Sequence, residues 1–383
     1  MAMTTDAARR RPGPSRLDGA TVLVVDGNSL AHRAYHAYAA RNGREELTRG
    51  DGTPVWAVYG FCALLAGIIN KVHPDHLIVG FDDPGASQRR DRYPAYKGTR
   101  ADKDAALVAQ LADIPVLLAE LGVAVMTPDG LEADDVCGSV AAATRAAGGR
   151  CTIATSDRDA FSLIDDTTTV LRLVSGLDNA VEVTPEVLVT MCGVQPHQYR
   201  DYASVRGDTS DNLPGVAGIG EKTAAKLLGA YATVADALAD PDGAGAVIGK
   251  AAGAKLAAAR TEIARNVDLM TIVCDLPVEF TTSRLDADPM RIAAKLREAE
   301  LPNLAERMAV ALSTHHQHAP VTHDPVTHDP DDGTAPCTTP GHQAIPGPSE
   351  VRYGGAGAVG SDGVGSSVLT GRAPIPRPWP RTL

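Results

Sequence analysis

An α/β fold on a parallel sheet, followed by a helical subdomain, is what this sequence predicts, and three observations predict it. Apolar, β-branched runs alternate with helical patterns from residue 21 to about 157, those runs are apolar throughout rather than on every second residue, and beyond residue 184 the pattern is wholly helical. Strands without polar alternation belong to sheets covered on both faces, and alternation of strands with helices is how parallel sheets are connected.

The elements follow in order. Residues 1–19 are polar, with Pro12 and Pro14, and read as a disordered arm. TVLVVD (21–26) is the first strand, followed by helices over 31–38 and 55–72 and the strand HLIVGFD (76–82). A helix over 105–121, the strand VAVMTP (123–128), a helix from 132 to about 147 and the strand CTIATSD (151–157) complete a domain over 20–183. Residues 184–312 run through PEVLVTMCG, a glycine-rich segment at 215–220 and alanine-rich stretches, and read as a helical subdomain. Residues 313–383 carry HHQHAP, the repeat VTHDPVTHDP and Gly/Pro/Ser-rich sequence, too poor in apolar surface to offset chain entropy. They read as a disordered tail, and His315, His316, His318, His323, His328 and His342 as part of it rather than as a metal site.

Composition narrows the class. With 44% hydrophobic and 22% charged residues, the chain has ordinary globular composition, and its apolar stretches are too short for a membrane span. Arg9, Arg10 and Arg11 have no apolar run behind them, so the start does not read as a secretory signal, and a cytoplasmic location is expected. Cys62, Cys137, Cys151, Cys192, Cys274 and Cys337 stand singly, which suits reduced thiols better than zinc ligands or disulfides. The net charge of −11 runs against phosphate binding unless the acid is concentrated in a metal site; without the nine carboxylates assigned below it would be −2.

Three strand-like segments end in aspartate: Asp26, Asp82 and Asp157. Ligands of such sheets bind at the carboxyl ends of strands, so the three side chains are expected in one crevice, although any one alone would be an ordinary cap or turn former. LEADD adds Glu132, Asp134 and Asp135 at a helix start, more than the helix dipole requires; Glu132 and Asp135 share a face and repel unless a cation or proton lies between them. TSDRD adds Asp159, and GDTSDN adds Asp208 and Asp211. Clustered carboxylates without His or Cys select Mg2+ or Mn2+, and two such ions about 4 Å apart are a known device for phosphodiester hydrolysis.

After Asp82 comes a basic, aromatic segment with Arg89, Arg90, Arg92, Tyr93, Tyr96, Lys97 and Arg100. Beside an acidic metal site it is read as a positive surface, with tyrosines for stacking on unpaired bases, though alone such a charge run is usually a solvated loop. Lys97, with Arg100, is assigned to catalysis, Lys97 touching the scissile phosphate as a point charge. In GVAGIGEKTAAKLL (215–228), Glu221 separates Gly220 from Lys222 and no strand precedes Gly215, so a P-loop fails. A helix–hairpin–helix fits better: Gly218 and Gly220 permit a tight turn, and the amides at the head of the next helix, with Lys222 and Thr223, grip a DNA phosphate. A plain turn between two helices is the alternative.

In this order VVDGNSLAHRAYHA, TPVWAVYGF, VGFD, YPAYKGTR, LEADD, TSDRD and GDTSDNLPGVAGIGEKTA resemble the bacterial and phage 5′-3′ exonucleases, including the N-terminal nuclease domain of DNA polymerase I, kin to flap endonucleases, over residues 20–310. The resemblance implies a PIN-like nuclease domain, an arch or clamp within 83–104, centred on 93–100, and a helix–hairpin–helix at about 208–230. It implies a first metal site of Asp26, Asp82, Glu132 and Asp134 and a second of Asp135, Asp157, Asp159, Asp208 and Asp211. Arg33 matches a basic position facing substrate, and the hairpin of Lys222 a duplex contact with a K+ ion.

It further implies DNA with 5′ flaps, nicks or RNA primers as substrate, in primer removal and repair, by a monomeric stand-alone member to which a DNA polymerase is supplied in trans. Two features depart from the pattern. Arg206 stands where members more often carry an apolar or small residue and is expected to pair with Asp208, and the tail has no counterpart. Two rival readings remain at this stage: a junction-binding protein that has lost catalysis, and a Mg2+-dependent phosphatase of small molecules, which leaves the hairpin and the basic segment without a role.

Overall fold

The computed structural model describes residues 16–39, 47–100, 102–174 and 176–313. The six strands of the main sheet are β1 (Thr21–Asp26), β2 (His76–Gly80), β3 (Ala124–Met126), β4 (Arg150–Thr155), β5 (Thr168–Arg172) and β6 (Val181–Val183), in the order β3-β2-β1-β4-β5-β6. All neighbours run parallel except β5 and β6. Neither β5 nor the antiparallel β6 was expected from the sequence, and β6 lies at the sheet edge, where an antiparallel addition costs no crossover.

Unbroken apolar strands are explained by two packed layers. Val22 and Val24 of β1 enter one core with Val136 and Val140, while Leu23 and Val25 enter the other with Phe61 and Leu65. Successive side chains point to opposite faces, so a strand buried on both sides has no polar position. The helices of the first 150 residues are α1 (Gly27–Ala39), α2 (Trp56–Val72), α3 (Gln88–Arg92), α4 (Ala105–Glu120) and α5 (Ala133–Ala146).

The expected arm ends earlier than residue 19. Leu17 is buried and its N–H donates to the Ala147 carbonyl at 2.9 Å, so one apolar side chain anchors the entry to β1; residues 1–15 lie outside the described residues. Within 83–104 the chain forms the five-residue α3 and then turns, not a long arch helix.

Beyond β6 come α6 (Pro185–Cys192), α7 (Tyr199–Arg206), the two-stranded ribbon β7 (Gly207–Asp208) and β8 (Leu213–Pro214), and α8 (Glu221–Ala230). Next are α9 (Val234–Ala239), α10 (Pro241–Ile248), α11 (Lys250–Ala258), α12 (Arg260–Leu269), α13 (Pro289–Glu298) and α14 (Ala305–Leu312). The helical region contributes to two cores. Tyr199, Leu213, Ile219 and Leu227 extend the α5-side core, whereas Ile292, Leu296, Met308 and Leu312 return to the other face of the sheet and share its core with α2. Among the described residues no helix is long and apolar enough to cross a membrane, and the five described cysteines are free. The tail and its histidines, with Cys337, lie outside the described residues.

Candidate active site

Strand ends place the acids. Asp26 is the last residue of β1, Asp82 lies two residues past β2 and Asp157 two past β4, and these three strands are parallel neighbours. They leave the sheet where β1 is flanked by strands reached through oppositely directed connections, the place where a crevice opens at a carboxyl edge. The head of α5 adds Asp134 and the ribbon adds Asp208, so that Asp26, Asp82, Asp134, Asp157 and Asp208 line one cavity of about 1000 Å3 with Lys97, Arg100 and Arg33.

Local hydrogen bonds aim these side chains. Asp26 accepts from the Ser29 N–H at 2.9 Å and from the Thr155 hydroxyl at 2.7 Å. Asp82 accepts from the Asn28 amide and from the Ala133 N–H, both at 2.9 Å, so one carboxylate joins the end of β2 to the positive end of the α5 dipole. Asp157 accepts from the Asp159 N–H at 3.0 Å, and Asp208 accepts from the Ser210 N–H at 2.7 Å and hydroxyl at 2.6 Å. Asp134 differs: its Oδ1 is buried without a hydrogen-bond partner, alone among the described carboxylates.

The electrostatics are those of acids crowded out of water. Burial, reinforced by Asp82 and Asp157 against the hydrogen bonds from Ser29 and Thr155, pushes Asp26 up from 3.8 to about 7. Burial also holds Asp134 well above the usual carboxylate range, with Asp157 and Asp26 adding to it, and Asp159 likewise, with Asp157, Asp211 and Asp208 adding. Asp157 is raised by burial as well. Carboxylates this close cannot all ionise unless protons or cations lie among them.

Five aspartates and an orphaned buried oxygen fit the pocket to hard divalent ions, although His32 and His36, which the sequence reading did not expect, also line it. As the side chains stand, no three His, Cys, Asp or Glu among the described residues are grouped to hold one ion, so side chains must turn inward to share one.

A basic rim faces the acids. Lys97 has φ of +55°, its N–H donates to the Asp211 carbonyl at 2.9 Å, and its Nζ lies 3.1 Å from Glu132 Oε2. Burial draws its pKa down, but Glu132, Asp211 and Asp134 more than offset this and hold the ammonium charged. Arg100 pairs with Asp211 at 2.6 Å.

Several expected site residues are placed elsewhere. Asp135 does not line the cavity: it holds Arg89 through two bonds of 2.7 and 2.8 Å and accepts from the Glu132 and Val273 N–H groups, which uses up the carboxylate. Arg89, expected on DNA, is correspondingly buried, and also donates to the Leu269 and Thr271 carbonyls. Tyr96 is buried too, its hydroxyl donating to Asp211 at 2.9 Å and lying 3.1 Å from Glu132, so it cannot stack on a base. Tyr93 has the Arg265 guanidinium 4.6 Å from its ring centre.

Glu132 and Asp211, expected as ligands, stand behind the cavity wall, engaged by Lys97, Arg89, Tyr96 and Arg100, and Asp159, also expected as a ligand, is likewise outside the cavity lining. Arg206 turns from Asp208 to Glu221, 3.8 Å away, and to the Tyr202 ring.

Gly218, with φ of +88°, and Gly220 make the turn before α8, where Lys222 is exposed and the Thr223 N–H donates to the Gly220 carbonyl at 3.0 Å. These four lie apart from the cavity lining, and the Arg158–Glu221 pair at 3.3 Å connects the loop of Asp157 to the head of α8. Among those missed by the sequence reading are Asn28, Ser29, His32, His36, Ser156 and Arg172, which line the cavity. The polar residues directly after β1 and β4 were findable by the strand-end rule applied to the aspartates; Arg172 closes a strand that was not recognised.

A family model described as 5′-3′ exonuclease, N-terminal resolvase-like domain, matches residues 21–193, and a second, 5′-3′ exonuclease, C-terminal SAM fold, matches residues 194–293. DNA polymerase I of Mycobacterium tuberculosis is 38% identical over 269 residues, 70% of this chain and 29% of that protein. The thermostable DNA polymerase I of Thermus aquaticus is 37% identical over 284 residues, 74% of this chain and 32% of that protein. The chain thus spans about a third of the length of these polymerases.

Phage T5 5′-exonuclease, solved with zinc bound, shares the fold with a TM-score of 0.52 at 19% identity, over 77% of this chain and 100% of that one. A T5 flap endonuclease complex with DNA and metal ions gives 0.51 at 19% identity over the same shares. The two family models together cover most of the described chain and meet at residue 193/194, next to the point where the sheet gives way to helices, and on these grounds the chain belongs to the 5′-3′ exonuclease family of nucleases.

Proposed function

We propose that this chain is a structure-specific 5′ nuclease that hydrolyses DNA phosphodiesters at 5′ ends and flaps with two divalent ions, Mg2+ or Mn2+, in primer removal and repair. The observation that carries the reading is the set of carboxylates meeting beside a charged lysine, with one buried Asp134 oxygen lacking any partner. Asp26, Asp82 and Asp134 on one side and Asp157, Asp159 and Asp208 on the other are the donors we assign, with Glu132 and Asp211 reserved behind Lys97 and Arg100. Asp135 is left out because Arg89 occupies it.

Divalent ions held by these carboxylates would supply Lewis-acid activation of water and charge neutralisation at the phosphate. The protein's own part is positional. Lys97 and Arg100 bring fixed positive charge to the phosphate, and a charge already oriented costs no reorganisation at the moment of reaction. Lys97, 14% exposed, is shielded from screening by bulk water, whereas Arg100 is half exposed. The exposed turn at Gly218–Gly220, with Lys222 and Thr223, presents backbone amides to a duplex phosphate, with K+ as its counter-ion.

A labelled 5′-flap duplex with Mg2+ tests the reading. The chain is expected to cleave it, and Asp157→Ala to abolish cleavage while binding persists, since the grips on phosphate remain. Junction binding without cleavage at stoichiometric protein leaves a DNA-binding protein instead. Turnover of small phosphomonoesters with indifference to DNA would point to a phosphatase.

A further inference from the structure

The acidic cavity has a second basic wall, on the β4–β5 side. Arg33, Arg158 and Arg172 all line the cavity, together with the rim formed by Lys97, Arg100 and Lys103. Two of the three are already engaged. Arg33 donates to the Ser156 hydroxyl and to the Leu173 and Val174 carbonyls, and Arg158 pairs with Glu221. Arg172 is different. No hydrogen bond or ion pair meets its guanidinium among the described residues, its Nε is buried without a partner, and its side chain lies over the Phe161 ring, 6.0 Å from the ring centre.

Like charges are also gathered there. After burial, the presence of Arg172 is what lowers the pKa of Arg33, and Arg158 does the same to Arg172. Asp157 acts the other way on Arg172 without reversing the shift, and a guanidinium with unused donors beside two others still favours an anion. The planar guanidinium fork matches phosphate oxygens in two directions at once, which suits this wall to phosphate.

We propose that Arg172, flanked by Arg33 and Arg158, forms a phosphate-binding subsite that takes a phosphate of the substrate strand next to the scissile linkage. This rests on the nuclease reading above. Opposite walls of one cavity then hold successive parts of one strand: Lys97 and Arg100 at the phosphate undergoing hydrolysis, and Arg172 at a neighbouring one. Two sources share this chemistry, the terminal 5′-phosphate of a nicked or recessed strand and an internal phosphodiester of a flap.

Arg172→Gln is the informative change, because Arg172 supports no other side chain through a hydrogen bond, and Arg172→Lys keeps the charge without the fork. Binding to nicked duplexes with a 5′-phosphate or a 5′-hydroxyl, and to flap duplexes with or without one neutral methylphosphonate beside the scissile linkage, is measured by fluorescence anisotropy in Ca2+. Intact protein is expected to bind the charged partner of at least one pair about tenfold more tightly, the size of a charge-assisted bond. Arg172→Gln is expected to erase that preference, and Arg172→Lys to restore part of it. The pair that responds identifies the source.

Preferences in Arg172→Gln equal to those of intact protein in both pairs, with an unchanged melting temperature, would overturn the subsite; so would intact protein that prefers neither charged substrate. Because these readouts are of binding, they stand even if the flap assay above finds no hydrolysis, and the two ideas fail separately.

Discussion

Asp134 concentrates the chemistry at the scale of single residues. A carboxyl group raised far above its ordinary range, with a buried oxygen that accepts no hydrogen bond, is protonated or destabilising in the absence of a cation. The linkage has a definite sign. A folded-state pKa above the unfolded one means that the native chain holds protons which the unfolded chain has lost, so the contribution is full below the unfolded value and disappears as pH rises through the folded one. For Asp26 that window runs from 3.8 to about 7.

Stripped of divalent ions, the chain is expected to lose stability across this window, with each group contributing a slope of up to about 1.4 kcal/mol per pH unit. Carboxylates with lowered pKa, such as Asp135 and Asp165, act in the opposite direction. Comparison of parent with Asp134→Asn cancels them. The variant should melt higher than the parent at pH 8 in EDTA, by about 1–3 kcal/mol of stability, and equally at pH 4, while its cleavage falls at least about a hundredfold. Equal melting at both pH values would mean that Asp134 carries no strain.

At the scale of elements, the Arg89–Asp135 pair fastens three pieces together. Arg89 lies in α3 and Asp135 in α5, and the same guanidinium reaches the carbonyls of Leu269 and Thr271 at the end of α12. Both side chains are almost wholly buried, 5% and 0% exposed, so removal of one leaves an unpaired charge. Arg89→Met or Asp135→Asn alone should cost about 3–5 kcal/mol in denaturant unfolding, and the double variant clearly less than the sum. Additive losses would show that the pair does not act as a unit.

The ribbon sets a second test. Gly207 has φ of +84°, and a Cβ there would lie 2.3 Å from the Gly215 nitrogen, so Gly207→Ala should displace Asp208 and weaken cleavage about tenfold or more with the sheet core intact by near-ultraviolet dichroism. Sequence showed part of this. Strand ends, the LEADD helix start and the glycine turn are local patterns and were legible, but the fate of Asp135 depends on a partner 46 residues away that pattern cannot supply. For the same reason the basic segment read as a surface, although Arg89 and Tyr96 face inward. β5 and β6 went unread because TTVLR and VEV are short and carry polar residues.

Across the whole molecule, the acidic pocket is where distant parts of the chain meet. Asp26 and Asp157 come from the sheet, Asp134 from α5 and Asp208 from the ribbon between α7 and α8, yet all face one cavity. On the proposed reading their mutual repulsion also accounts for a chain of charge −11 serving a phosphate substrate: divalent ions would neutralise the acids and leave Arg33, Lys97, Arg100 and Arg172 as the net field. An ion shared by sheet and ribbon must then hold the two together, and binding confined to the native state stabilises by about 2.7 kcal/mol at a hundred times the dissociation constant. Mg2+ should therefore raise the melting temperature, release protons on binding, and slow amide exchange both at the ends of β1 and β4 and across β7 and β8. In Asp208→Ala the protection should survive at the strand ends and vanish from the ribbon. If Mg2+ slows exchange only at the strand ends of the parent protein, the ribbon carboxylates take no part in holding the ions, and the second group of donors has to be sought among residues of the sheet and α5 alone.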